Sequence, residues 1–254
     1  MALVLAETAA GGTALLFLTP LWTEVRRGFF LLSGAVVLAL ALGAAGAARA
    51  GSSGTGRAGV AVGLALGLAG ATALWLLIAA LGLGTAGRAV GIATVPLGAA
   101  MLAGLAGLVG EPVALSLFQL AAGALFTGAV LVGLLLGHWY LTDRTLPRGP
   151  INRMASVLVA AVALEAGALV AGGFGGPEPG SAATRGLNPL LTMAGSATWI
   201  ALGMVAITGL IAAFIRLALR GTRPQAVQGA TGFFYLAVIT AFSAELAAKV
   251  RFLP

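Results

Sequence analysis

Long apolar runs follow one another along the whole of this chain, at 2–22, 28–48, 58–84, 88–109, 113–141, 153–173, 189–215 and 225–247. A helix needs roughly 20 such residues to cross about 30 Å of hydrocarbon. Inside a bilayer only helices and closed barrels satisfy their own backbone hydrogen bonds. Barrel strands are about 10 residues long and alternate in polarity, so these unbroken runs exclude a barrel. The expected fold is therefore all-α: one transmembrane helical bundle over residues 1–254, with eight spans. Composition agrees. Of 254 residues, 60% are hydrophobic and 8% charged, and the mean hydropathy is +1.07, whereas a soluble domain carries about 25% charged residues.

The first run begins Met1-Ala-Leu-Val-Leu-Ala-Glu7, without the basic residues that precede a cleaved signal sequence, and reads as a span. Glu111-Pro112 and Asn188-Pro189 place a proline where a helix should start. Gly84-Thr-Ala-Gly-Arg88 is read as the joint between the third and fourth spans, and Pro96 should kink the fourth. Lys and Arg gather in cytoplasmic loops of membrane proteins. Threading the spans with the N-terminus outside puts Arg26, Arg27, Arg88, Arg144, Arg148, Arg153, Arg216, Arg220 and Arg223 inside. Arg49, Arg57, Arg185, Lys249 and Arg251 then lie outside. The imbalance predicts both termini on the outer side of a multi-pass protein of the cell membrane. It also explains the net charge of +7 without nucleic acid.

Function is constrained first by exclusion. There is no cysteine and one histidine. A Cys or His zinc site, an iron–sulfur cluster and a bis-histidine haem are thus beyond this chain alone. No metal site and no autonomous catalytic motif is expected, and Asp143, the sole aspartate, rules out paired aspartates.

Ionisable residues within spans are costly and mark candidate sites. Glu165 falls about 18 Å into the sixth run, near the expected bilayer centre, among Ala161, Val162, Ala168 and Leu169. Ionisation there is costly, so Glu165 is expected to be a buried neutral acid. Glu7 lies in the first run, and Glu245 in the eighth with Lys249 one turn later, the spacing of an ordinary helix ion pair. His138, Asp143 and Arg144 form the densest polar cluster and fit a quinone carbonyl, a lipid headgroup or an anion. The adjacent Trp139 and Tyr140 suit a headgroup belt, and Thr127 should share the His138 face.

Two functions fit. One is a membrane subunit of a quinone-linked electron-transfer complex, supplying a quinone or proton site; the chain alone would hold no cofactor, quinone excepted. The other is a transporter or channel for a small ion or solute, using a midplane carboxylate. Partners are then the lipid bilayer, with other membrane subunits or further copies of the chain. Gly63/Gly67, Gly133/Gly137 and the stripe Gly104, Gly107, Gly110 have spacings that let helices approach closely, either within the chain or between copies.

Overall fold

The computed structural model of the chain describes residues 1–51, 56–109, 112–143, 145–173, 193–221 and 225–252. Among these, all regular structure is helical. The order is α1 (Ala2–Leu18), α2 (Leu21–Glu24), α3 (Arg27–Ala50), α4 (Gly56–Ala80), α5 (Gly84–Leu108), α6 (Val113–Thr142), α7 (Gly149–Ala171), α8 (Met193–Arg220) and α9 (Gln225–Ala248). A 3-10 turn, Lys249–Phe252, follows. The helices α3 to α9 are each long and apolar enough to cross a membrane, and α1 is a shorter apolar helix. The chain is a multi-pass membrane protein whose outer surface contacts lipid.

The first run is cut short relative to expectation. Thr19 precedes Pro20, whose ring disfavours the helical conformation there, and Thr19 is extended with ψ 151°. The 17 residues of α1 rise about 26 Å. The α4–α5 joint also differs. Gly84 to Arg88 are already helical, and the turn is Leu81–Leu83. Gly82 stops α4 with φ 83°, and the Leu83 N–H donates to the Ile78 carbonyl at 3.3 Å, a glycine-dependent helix stop. Pro96 stays inside an unbroken α5, and Pro112 sits one residue before the start of α6. Glu111, Gly110 and Asn188-Pro189 lie outside the described residues.

The bundle is built around α6, the most enclosed of the long helices. It packs against α1, α7 and α9, while α1 also contacts α3 and α5. At Gly11 the α1–α6 approach leaves no room for a side chain, because a Cβ there would fall onto the Ala124 carbonyl oxygen. The two other glycine pairs divide between the alternatives. Gly133 and Gly137 are internal, under Phe234 and Thr231 of α9, whereas Gly63 and Gly67 of α4 face open space. Gly104 packs on Leu64, and Gly107 meets nothing.

Because successive helices alternate in direction, the connections collect at two ends. One holds Glu24–Arg27, the α4–α5 turn, Asp143–Arg148 and Gly221, and arginines tie it together. Arg153 pairs with Glu24 at 2.9 Å and Arg26 with Asp143 at 3.2 Å. Arg27 and Arg148 donate to the Ala80 and Gly221 carbonyls, at the C-terminal ends of α4 and α8, where a cation is favoured by the helix dipole. An aromatic chain backs this end, with ring centroids 4.9 Å apart for Phe17–Trp75, 4.3 Å for Trp22–Phe30 and 6.2 Å for Phe29–Trp139. The opposite end carries Met1, Gly51, Val109, Ala171 and Lys249.

Candidate functional site

Three of the carboxylates singled out from the sequence meet near the lysine end, on three different helices. Glu7 stands about 8 Å along α1 from Ala2, Glu165 about 9 Å along α7 from Ala171, and Glu245 about 5 Å along α9 from Ala248. Glu165 therefore lies nearer the Ala171 end of its helix than the Gly149 end. The cause is the start of α7: it begins at Gly149, with Pro150 in its first turn, four residues before the expected 153.

The lysine organises the cluster. Lys249 Nζ lies 2.7 Å from Glu7 Oε1 and 3.1 Å from Glu245 Oε2. Glu245 and Lys249 are the pair expected from their spacing, but they are not an exposed surface pair. Glu7 and Glu245 are 0% exposed and Lys249 6%. Glu165, 2% exposed, is near enough to act electrostatically on both Glu7 and Lys249. The expectation of a wholly apolar neighbourhood for Glu165 is thus corrected: within its own helix it has one, and across the bundle it shares an ion cluster. Glu7 Oε2 and Glu245 Oε1 are buried without a hydrogen-bond donor among the described residues.

The central helix α6 makes room for this. A Cβ on Gly123 would stand 2.9 Å from Glu245 Oε1, so the Glu245 carboxyl rests on bare backbone. One turn away, Gln119 donates to the Ala168 carbonyl at 3.4 Å, and its own Oε1 is buried without a donor. Among the described residues, the carboxyls do not converge as a group of three metal ligands. Gly123 and the role of Lys249 in joining α1 to α9 were not foreseen. The Glu245–Lys249 spacing was the available signal, and Gly123 had none.

The cluster expected around His138 does not form among the described residues. His138 is exposed on α6. Asp143 turns away to Arg26 and also accepts from the Thr145 hydroxyl at 2.6 Å and backbone N–H at 3.2 Å. These contacts, the Thr145 hydroxyl foremost, hold the Asp143 carboxyl below its ordinary value of 3.8. Arg144 lies outside the described residues. Thr127, expected on the His138 face, is buried and donates to the Gly123 carbonyl at 2.8 Å, because neighbouring helices cover α6 at that level. Trp139 packs over Gly28 and Phe29, and buried Tyr140 donates to the Pro147 carbonyl.

Beside Tyr140, a cavity of about 300 Å³ opens where α6 and α9 meet at the arginine end, lined by Leu141, Leu146, Arg148, Gln225, Val227 and Gln228. A second, of about 460 Å³, lies at the lysine end between α1, α3, α4 and α5 and has mostly alanine walls. No protein-family model matches the chain, and neither does a curated protein or a solved structure.

Proposed function

We propose that the protein is a proton-coupled membrane transporter whose proton-exchanging centre is Glu7, Glu245 and Lys249, with Glu165 beside them. The observation that carries this reading is the single buried ammonium within 2.7 Å and 3.1 Å of two buried carboxyls, with a third acting on it. An ionised group in a medium of low polarity costs several kcal/mol even when paired. One ammonium balances one carboxylate, so Glu7 and Glu245, which share it, leave one negative charge that a proton can cancel. Protons fit better than a coordinated metal cation, since the carboxyls do not form a metal-ligand group among the described residues. With Glu7 and Glu245 on one ammonium, a proton gained or lost by either carboxyl changes the field at the other.

The electron-transfer reading places a quinone or proton site near His138 and Glu165, and His138 is exposed on α6 while Asp143 pairs with Arg26. Its remaining support is the same carboxyl cluster, serving proton transfer within a larger complex. The architecture we propose has α1 as an eighth span and both termini outside, in line with the arginines tying the opposite end.

The test is proton flux into proteoliposomes under an imposed potassium diffusion potential, read with an entrapped pH dye. Glu7→Gln and Glu245→Gln should abolish the flux of the wild type. Full flux in both Gln variants would overturn the reading. Redox subunits co-purifying with an otherwise flux-inactive chain would favour electron transfer.

A further inference from the structure

The two halves of the chain follow one plan. Residues 2–11 and 114–123 agree at six of ten positions. Arg27-Gly28 and Ala45-Gly46-Ala47 of α3 recur 121 residues on as Arg148-Gly149 and Ala166-Gly167-Ala168, in and beside α7. Ala89-Val90 and Ala93-Thr94 of α5 recur in α9 as Ala226-Val227 and Ala230-Thr231. The packing repeats as well. α1, α3, α4 and α5 form a closed ring, each on the next and α5 back on α1, and α6 to α9 form another. Arg27 donates to the last carbonyl of α4, as Arg148 donates to the carbonyl just past α8.

In this register Glu165 of α7 stands where α3 has Ala44, and Glu245 of α9 where α5 has Leu108. Ala44 and Leu108 both line the 460 Å³ cavity at the lysine end. The place that holds carboxyls in the second ring is thus an apolar hollow in the first. All four helices wall it, with Ala6, Ala44, Ala61 and Ala65 among the lining residues. From Gly51 to Ala44 along α3 it is about 10 Å deep. An empty cavity costs free energy that grows with its volume, and apolar walls offer water no hydrogen-bond partners. An apolar guest meets both conditions, and the volume is that of a small-molecule site. Helix contacts close the ring at its sides, so the space takes one chain lying along the bundle axis.

Arg57 is the one ionisable side chain among the described residues lining the cavity. It is exposed at the mouth, in the first turn of α4, and no hydrogen bond or ion pair holds it among the described residues. The helix ends there are two N-terminal, of α1 and α4, and two C-terminal, of α3 and α5. Their dipoles offset one another, which leaves Arg57 to set the sign of the mouth. We propose that this cavity binds a single-chain fatty acid, its alkyl chain between the alanines and its carboxylate on Arg57. A guanidinium can donate to both carboxylate oxygens at once. Ala6 lines the cavity while Glu7, next along α1, turns to Lys249. The site is therefore separate from the carboxylate cluster and does not depend on proton exchange there.

The chain has no cysteine, so a single introduced one reports on the cavity alone. In phosphatidylcholine nanodiscs washed with fatty-acid-free albumin, Ala61→Cys should react with methyl methanethiosulfonate. Dodecanoate near saturation should slow that reaction by about fivefold or more, as a bound ligand withdraws the free form. Dodecylammonium should not, and Arg57→Gln should remove most of the protection by dodecanoate. Leu81→Cys, exposed at the opposite end, should react equally in all conditions. Should Ala61→Cys fail to fold, Ala47→Cys on α3, also in the lining, carries the same expectations. A second measurement needs no cysteine: the wild type should retain radiolabelled dodecanoate above the level of empty nanodiscs. Ala44→Phe, which fills the hollow, should not, with Ala44→Leu in its place where the larger ring unfolds the chain. Equal labelling with and without dodecanoate, equal protection by dodecylammonium, or equal retention by the filled variant would each overturn the site.

Discussion

At the scale of single residues, the charges fall into two sets with different work. Those at the arginine end are partly exposed, and each such ion pair contributes about 0–1 kcal/mol. Their value is in fixing helix ends to one another. Asp143 illustrates this, since it closes its own turn through Thr145 and reaches Arg26. Its carboxyl is held low, so its stabilising contribution is present above its unfolded value near 3.8 and lost as pH falls through the lower folded value. Thermal unfolding of the wild type and Asp143→Asn should therefore differ at pH 7 and converge as pH falls below the folded-state value of Asp143. A difference that persists unchanged at low pH would assign the effect to geometry and not to charge. The other set, Glu7, Glu245, Lys249 and Glu165, is buried, and removing Lys249 takes from Glu7 and Glu245 the cation they share. The sequence identified all four of these residues, because ionisable groups in apolar runs are conspicuous. Their meeting was not legible, since it depends on α1 and α9 both bordering α6, and no local pattern encodes which helices are neighbours. Around His138 the pattern was less informative: Asp143, five residues on and past the end of α6, pairs with Arg26.

At the scale of elements, glycines decide which helices are close. Spacing alone did not separate internal pairs from exposed ones, because Gly63/Gly67 and Gly133/Gly137 have the same pattern. The structure separates them by what a Cβ would meet. Gly11→Ala should force α1 away from α6 and destabilise the fold by about 1–3 kcal/mol, the usual cost of overfilling a packed interior. Gly63→Ala, with open space around it, should change stability by less than about 0.5 kcal/mol. Steric-trap or denaturant unfolding of the two variants in the same lipid makes the comparison. Equal stability of the two would mean that the α1–α6 approach is not as close as described. Helix ends were legible within a few residues wherever proline or glycine acts on its own neighbours. Among the larger misreadings, the early stop of α1 and the shift of the α4–α5 turn come from single such residues, Pro20 and Gly82. At each, an apolar run continues past the point where the backbone turns.

At the scale of the whole molecule, the alternation of helix directions puts Met1, Arg49, Arg57 and Lys249 at one end and Arg26, Arg27, Arg148 and Arg153 at the other. Cysteines at Ala50 and Leu81, exposed at opposite ends of the bundle, test the proposed orientation. In intact cells an impermeant maleimide should label Ala50→Cys, and Leu81→Cys only after permeabilisation; the opposite pattern would invert the protein. All-helical class and membrane insertion were evident from hydropathy alone, since the bilayer dictates both. Function was not, because the cluster is assembled from three helices and one terminal turn. The central claim is that this cluster exchanges protons, and the pH-difference infrared spectrum of the protein in lipid tests it most directly. Between about pH 4 and 9, a carboxyl C=O band should change with pH, disappear or lose intensity in Glu7→Gln and Glu245→Gln, and move in Lys249→Met. A spectrum with no pH-dependent carboxyl band, or one unaltered in all three variants, would contradict it.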